Sequence, residues 1–184
     1  MDPNQLVTAW PTDTLAVSSG LLVARLVLGL LMAAHGAQKL LGWFGGYGLA
    51  GTAGFFEQMG FRPGRFFAAT ASITEIFSGL LVALGLLGPI GPALMLSVMI
   101  VAAVSVHLKN GLFAASNGIE VPLLYATAAI ALALTGPGRF SLDAVLGLSN
   151  LWTSTFAAAA LVVGAVGGFG NLAARRATPA TSAN

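Results

Sequence analysis

The chain places a few ionisable side chains inside long apolar stretches, and these residues could carry chemistry. Three of them exchange protons readily, namely His35, Glu75 and His107, and three could hold a polar ligand, namely Arg25, Lys39 and Glu120. Carboxyl and imidazole groups act as general acids and bases when their surroundings adjust their proton affinity. We therefore predict that the first three are candidate catalytic residues and that the other three are candidate substrate- or cofactor-binding residues.

Other chemistries lack their residues in this sequence. There is no cysteine, which excludes disulfides, thiolate metal sites and thiol catalysis by the chain itself. We find no phosphate-binding glycine loop after a strand, no His-Glu-x-x-His spacing and no nucleophile elbow. No basic cluster suggests nucleic acid as a partner, and we predict no metal site.

The composition indicates a protein that lies within a lipid bilayer. Hydrophobic residues make up 57% of the 184 positions and charged residues only 8%, and the mean hydropathy is +0.87. Such a chain cannot cover its surface with polar groups. We therefore predict an all-α integral membrane protein with the bilayer as its solvent.

Five apolar runs are candidate membrane spans, at residues 15–41, 66–87, 92–108, 121–135 and 151–172. Two short interfacial helices are predicted between them, at 52–59 with Thr52 as N-cap and at 140–148 with Ser141 as N-cap. Residues 15–148 should form a four-helix transmembrane bundle, and 149–172 a fifth, C-terminal transmembrane helix. Residues 1–14 are assigned to an N-terminal tail and 173–184 to a disordered tail.

The basic residues predict the orientation of these spans. With five crossings, one side of the membrane receives Lys39, Arg62, Arg65, Lys109, Arg175 and Arg176, and the other receives Arg139. The positive side is expected to be cytoplasmic, with the N-terminus outside. The two short helices should then lie on opposite surfaces. The link 109–118 should stay close to the cytoplasmic mouth of the bundle.

The first span carries a polar face beside a face of small residues. At about 100° per residue, Arg25, His35 and Lys39 share one side of the helix. The small residues Gly29, Ala33 and Ala37 run next to them in steps of four. Small residues let membrane helices approach closely, so the polar face should point into the bundle. The same small-residue faces could also support a homo-oligomer.

Depth in the membrane suggests which residues meet. At 1.5 Å per residue from the cytoplasmic ends, His35 lies about 9 Å deep, Glu75 about 13 Å and Arg25 about 24 Å. We therefore predict a polar pocket made by His35, Lys39, Glu75 and His107, with Arg25 outside it. Glu120 could close this pocket from the membrane surface, or act only as a favourable charge at the start of its helix. A purely structural ion pair at Glu75 remains the alternative to proton handling.

The ordered set of short motifs resembles the DoxX family from about residue 21 to residue 147. The motifs are Arg25-x-x-x-Gly29, Gly36-x-x-Lys39, Phe56-Glu57-x-x-Gly60, Glu75, His107-x-x-Asn110-Gly111, Gly118-x-Glu120 and Gly136-Pro137-Gly138-Arg139-x-Ser141-Leu142-Asp143. The resemblance implies a four-helix protein of the bacterial cytoplasmic membrane. It also implies a role in oxidoreductase assemblies linked to quinones and soluble redox proteins. The fifth span departs from the common four-helix form.

Three functions are compatible with these residues. The first is a membrane oxidoreductase subunit in which the polar cluster binds or protonates a quinone-like head group. The second is a small proton-coupled transporter, since buried acid, histidine and arginine side chains also mark ion paths. The third is a non-catalytic scaffold that holds soluble redox partners at the membrane. The expected cofactor, if there is one, is a quinone.

Overall fold

The computed structural model describes residues 14–176, and 80% of these are helical, with no strand among them. The α-helices are α1 (Thr14–Leu41), α2 (Gly48–Gln58), α3 (Gly64–Leu84), α4 (Ile90–Ala102), α5 (Glu120–Thr135), α6 (Leu142–Val145) and α7 (Ser154–Ala173). Helix α4 continues without a break through a π-helical segment, Ala103–His107, and a 3₁₀ turn, Leu108–Asn110. The predicted all-α fold is confirmed.

Within residues 14–176, four helical segments are long and apolar enough to cross a membrane, namely Leu15–Leu41, Gly64–Leu84, Ile90–Asn110 and Ser154–Ala173. The fifth apolar helix, α5, has 16 residues and so a length of about 24 Å. It packs against both α4 and α7. The structure thus contains the predicted bundle, with α7 as the additional C-terminal helix.

The two ends of the bundle carry different charged residues. We call the end where α1 stops and α3 starts the basic end, since Lys39, Arg62 and Arg65 lie there. Helix α2 lies at the basic end, and α6 lies at the opposite end, where Asp143 bonds the turn between α3 and α4. The two short helices therefore lie at opposite ends of the bundle, and their placement on opposite membrane surfaces stays a prediction.

Helix α7 spans the distance between these ends. Near its start, Trp152 packs against Gly88 in the turn between α3 and α4. After its end, the amide of Arg176 donates to the carbonyl of Gly60, 2.8 Å away, and the Arg175 guanidinium lies over the ring of Phe61. Residues 173–176, which the sequence assigns to the tail, are thus attached to the α2–α3 link. The rest of the predicted tails 1–14 and 173–184, namely residues 1–13 and 177–184, lies outside the described residues.

Two details of the short helices differ from the prediction. Helix α2 starts at Gly48, one turn before the expected N-cap Thr52. The hydroxyl of Thr52 instead donates to the carbonyl of Lys39 at the end of α1, 3.0 Å away. A hydroxyl inside a helix often bonds a carbonyl, and here the nearest free carbonyl belongs to another helix. Ser141 caps α6 as predicted, but α6 itself has only four residues.

Close contact between α1 and α3 organises the bundle. A Cβ atom added to Gly29 would lie 2.4 Å from the carbonyl oxygen of Gly79. A Cβ on Gly36 would lie 2.5 Å from the carbonyl oxygen of Ser72. Real Cβ atoms are not found at such distances, so the two backbones approach as closely as small residues permit. The predicted small-residue face of α1 thus packs against α3, inside one chain.

This contact gives a testable prediction for Gly29→Ala. The added methyl group must push α1 and α3 apart, and we expect the free energy of unfolding to fall by about 1–3 kcal/mol, the usual effect of overpacking. Gly20→Ala, on the same helix, is the matched control because a Cβ there meets nothing within 4 Å. It should leave stability unchanged or raise it by up to about 1 kcal/mol. Equal behaviour of the two variants in a denaturant titration would contradict the packing described.

An apolar layer fills the middle of the bundle. It consists of Met32, Val82, Met95, Met99, Ala129 and Leu132, all buried. Along α1, Met32 lies between Arg25 and Lys39, and along α3, Val82 lies between Glu75 and Gly85. The ionisable residues of the spans are therefore divided into one group near each end.

Candidate functional site

The carboxylate of Glu75 is the most deeply buried acid near the basic end. The residue is 1% exposed, and its Oε1 atom accepts a hydrogen bond from the ammonium group of Lys39. The Lys39 side chain is 33% exposed, so it reaches from the surface of the bundle to the buried carboxylate. A buried carboxylate requires such a partner, because desolvation of an unpaired charge costs several kcal/mol.

The rotation of α1 about its axis explains why Glu75 pairs with Lys39 and not with His35. The contact of Gly36 with Ser72 fixes which side of α1 faces α3. At about 100° per residue, Lys39 lies about 60° from Gly36, whereas His35 lies about 100° from it and points away from α3. The long lysine side chain leans toward the N-terminus of α1, and so reaches back one turn to Glu75.

His35 has other contacts. Its Nδ1 atom lies 2.8 Å from the carbonyl oxygen of Leu31, and its ring meets the ring of Tyr125 edge to face, with 6.1 Å between centroids. The pairing of Glu75 with His35 that depth suggested is therefore not what the structure contains. Depth was a poor guide because it ignored the direction in which each side chain leaves its helix.

A cavity of about 800 Å³ lies beside the ion pair. Its walls come from the end of α1, from α2, from α3 and from α4, and Asn171 of α7 contributes one edge. Lys39, Glu75 and His107 line it, whereas His35, Arg25 and Glu120 do not. The volume is within the range of about 300–1,000 Å³ that small-molecule sites occupy.

Two buried polar atoms of the cavity wall have no hydrogen-bond partner. They are Oε2 of Glu75 and Oγ of Ser105. Buried polar atoms in proteins are almost always paired, so an unpaired one in a cavity wall points to a missing ligand or water. A ligand that donates to the carboxylate oxygen and interacts with the hydroxyl would satisfy both.

Ser105 owes its free hydroxyl to the backbone around it. Other helical hydroxyls bond the carbonyl four residues earlier, as Ser72 does with Ala68 and Thr74 does with Thr70. Ser105 lies in the π-helical segment Ala103–His107, where the regular pattern is interrupted. Such segments occur frequently at functional sites. The sequence analysis missed Ser105, because nothing in the sequence predicts the π-helical turn.

His107 and Glu120 both hold the link between α4 and α5. Nδ1 of His107 lies 2.9 Å from the carbonyl oxygen of Asn117. Oε2 of Glu120 accepts from the amide of Ala114, 2.7 Å away, which fixes the 3₁₀ turn Ala114–Ser116. Glu120 therefore does not close the cavity, whereas His107 both holds this link and lines the cavity wall.

Arg25 belongs to a separate cluster at the opposite end. The residue is 2% exposed, and its Nη2 atom donates to the carbonyl of Phe140. The fully buried Asp143 lies close enough to interact with it electrostatically. Both carboxylate oxygens of Asp143 accept backbone amides, from Leu87 at 2.9 Å and from Gly88 at 2.7 Å. Arg25 thus lies outside the Glu75 cavity, and Asp143 is a buried acid that the sequence analysis did not single out.

The only sequence signal for Asp143 was its place behind an N-cap serine in the last of the family-like motifs. Acids in that position usually interact with their own helix N-terminus. Asp143 instead accepts hydrogen bonds from a turn that lies more than 50 residues away in the sequence. A local sequence pattern cannot indicate such a contact.

The chemistry available at the Glu75 site is binding and proton exchange. One oxygen of the carboxylate accepts from the Lys39 ammonium group, and the other has no hydrogen-bond partner. Among the described residues, no group of three or more histidine and acidic side chains lies close enough together to hold a metal ion.

Comparison with known protein families gives a match. The family model DoxX matches residues 20–108. This segment contains nearly all of the first four helices, the pair Lys39–Glu75, and Ser105 and His107. No curated protein and no solved structure matches the chain. The predicted resemblance to the DoxX family is therefore confirmed over residues 20–108.

Proposed function

We propose that this protein is a membrane subunit of an oxidoreductase and that its cavity binds a quinone-like head group. The observation that carries the proposal is the buried Glu75, which lines a cavity of about 800 Å³ and whose Oε2 atom has no hydrogen-bond partner. The remaining wall is largely apolar, with Phe55, Phe56 and Phe67 among its residues. A ring with polar substituents at its edge suits such a combination of apolar walls and a few polar groups.

The residues of the site have distinct roles in this proposal. A quinone, when bound, takes up two electrons and two protons to become a quinol. Glu75 accepts a hydrogen bond from a head-group hydroxyl and holds the exchanged proton. Lys39 holds the Oε1 atom of this carboxylate and leaves the Oε2 atom for the ligand. Ser105 fixes the orientation of the head group, and the apolar wall excludes water.

In this proposal the electrons come from a separate soluble redox protein. The chain itself has no cysteine and so contributes no dithiol. We place the protein in a bacterial cell membrane with the basic end toward the cytoplasm, following the distribution of lysine and arginine. The soluble partner would then approach the end at which the cavity lies.

The proposal is tested by quinone retention. The protein, purified from bacterial membranes in a gentle detergent, should carry quinone that mass spectrometry identifies. Glu75→Gln removes the charged acceptor, and we expect at least about a tenfold loss of affinity for added quinol, since such hydrogen bonds contribute about 1.5–3 kcal/mol. Glu57→Gln is the matched control, because Glu57 is an exposed acid outside the cavity wall.

Two results would overturn the proposal. One is a quinone-free sample that neither binds added quinone nor supports its reduction with a copurifying partner. The other is an equal effect of Glu57→Gln and Glu75→Gln. Proton flux into liposomes that depends on Glu75 would favour a transporter. Partner capture that survives Glu75→Gln without any quinone would favour a scaffold.

A further inference from the structure

We propose that one face of α2 is an access groove for the apolar chain of the ligand, so that the natural ligand is a single-chain amphiphile that enters from the lipid. The groove consists of Ala50, Gly51, Gly54, Phe55 and Gln58 on α2. This inference rests on the proposed ligand site at Glu75 and adds the class of molecule and its route.

Exposure shows where the cavity opens. Every residue of the access groove is exposed, as is Tyr47 just before α2, at 88%. The cavity residues on α4 are all partly buried, and Glu75 is 1% exposed. The cavity therefore has its mouth along α2 and its polar end at Glu75.

Two residues of the access groove, Gly51 and Gly54, are smaller than their helix would favour. Gly51 and Gly54 are interior positions of α2, and a helical glycine destabilises a helix by about 1 kcal/mol relative to alanine. Gly54 does not adopt a left-handed backbone conformation, and a Cβ atom there would meet nothing within 4 Å. Neither backbone geometry nor packing inside this chain requires glycine at this position. A side chain there would project into the cavity mouth.

The occupant follows from the two ends of this continuous space. At the inner end, the free oxygen of Glu75 needs a hydrogen-bond donor. At the outer end, the wall is made of two glycines, an alanine and the Phe55 ring, with Gln58 as its one polar residue, and its apolar part suits a hydrocarbon chain. A molecule with a donating head group and one long apolar chain fits both ends, whereas a polar metabolite fits only the inner end.

The test compares two quinols that share a head group. The probes are the reduced forms of decylubiquinone and of its tail-less parent, 2,3-dimethoxy-5-methylbenzoquinone, titrated into protein in phosphatidylcholine nanodiscs. Gly54→Phe fills the access groove, and we expect it to weaken binding of the decyl probe at least about tenfold, the equivalent of about two buried methylene groups. Binding of the tail-less probe should change by less than about twofold. Gly54→Ala, which also favours the helix, should give a smaller loss in the same direction.

Gly20→Phe is the control, because Gly20 lies on α1 away from the cavity and a Cβ there also meets open space. It should affect neither probe. If both probes bind in a Glu75-dependent way and Gly54→Phe alters neither or both equally, the access groove is wrong and the proposed function stands. If neither probe binds the unaltered protein, the proposed function fails, and the access groove fails with it.

Discussion

Asp143→Ala is expected to lower the free energy of unfolding by about 4 kcal/mol, the largest effect of any single substitution considered. The substitution removes two charge-assisted hydrogen bonds to the amides of Leu87 and Gly88, each contributing about 1.5–3 kcal/mol. It also leaves the buried Arg25 without its nearby negative charge. Removal of one member of a buried charged group typically costs about 3–5 kcal/mol.

The effect can be measured by denaturant titration of the detergent-solubilised protein. Glu57→Ala is a suitable comparison, because Glu57 also accepts a backbone amide, that of Gly64, but does so at an exposed position and only once. We expect a loss of about 1 kcal/mol there, in the range of ordinary helix caps. A similar loss for both variants would mean that Asp143 does not stabilise the turn between α3 and α4 as described.

Lys39→Met is expected to lower the free energy of unfolding by about 3 kcal/mol, because it leaves the Glu75 carboxylate buried without a cation. The value lies at the lower end of the usual range because Lys39 is one third exposed. Glu75→Gln alone should have a smaller effect, since Lys39 can turn its ammonium group toward the exposed side. The double variant Lys39→Met, Glu75→Gln should be more stable than Lys39→Met alone.

A double-mutant cycle tests this pairing. We expect a coupling energy of about 1–2 kcal/mol between Lys39 and Glu75, and one close to zero between His35→Gln and Glu75→Gln. Strong coupling to His35 would instead support the pairing that depth alone suggested. Additive effects of Lys39→Met and Glu75→Gln would show that the ion pair contributes nothing to stability.

The architecture could be predicted from the sequence because membrane helices have a direct physical signature. A run of about 20 apolar residues must form a helix in lipid, and small residues in steps of four mark where helices meet. Gly29 illustrates this, since its predicted small-residue face does pack closely against α3. Helix ends were predicted less accurately, as at Thr52. They depend on which neighbouring groups form hydrogen bonds with the free backbone amides and carbonyls at the end of a helix.

The candidate site could be predicted only in outline. Buried charge inside apolar stretches identified Glu75 and Lys39, because such residues are too costly to occur without a partner. The choice between His35 and Lys39 depended on helix rotation, which the contact at Gly36 sets and which depth does not include. Ser105 became visible only through an irregular backbone turn, and Asp143 only through a long-range contact.

The apolar layer around Met32 and Met95 lies between two groups of charged residues, one near each end of the bundle. It separates the Glu75 cavity from the Arg25 cluster with methionine, leucine, valine and alanine side chains, which conduct neither protons nor ions. In the proposed function, a proton taken up or released at Glu75 exchanges at the basic end, where the cavity lies. Chemistry at this site would then change the acidity at one end of the bundle and leave the end that holds Arg25 unaffected.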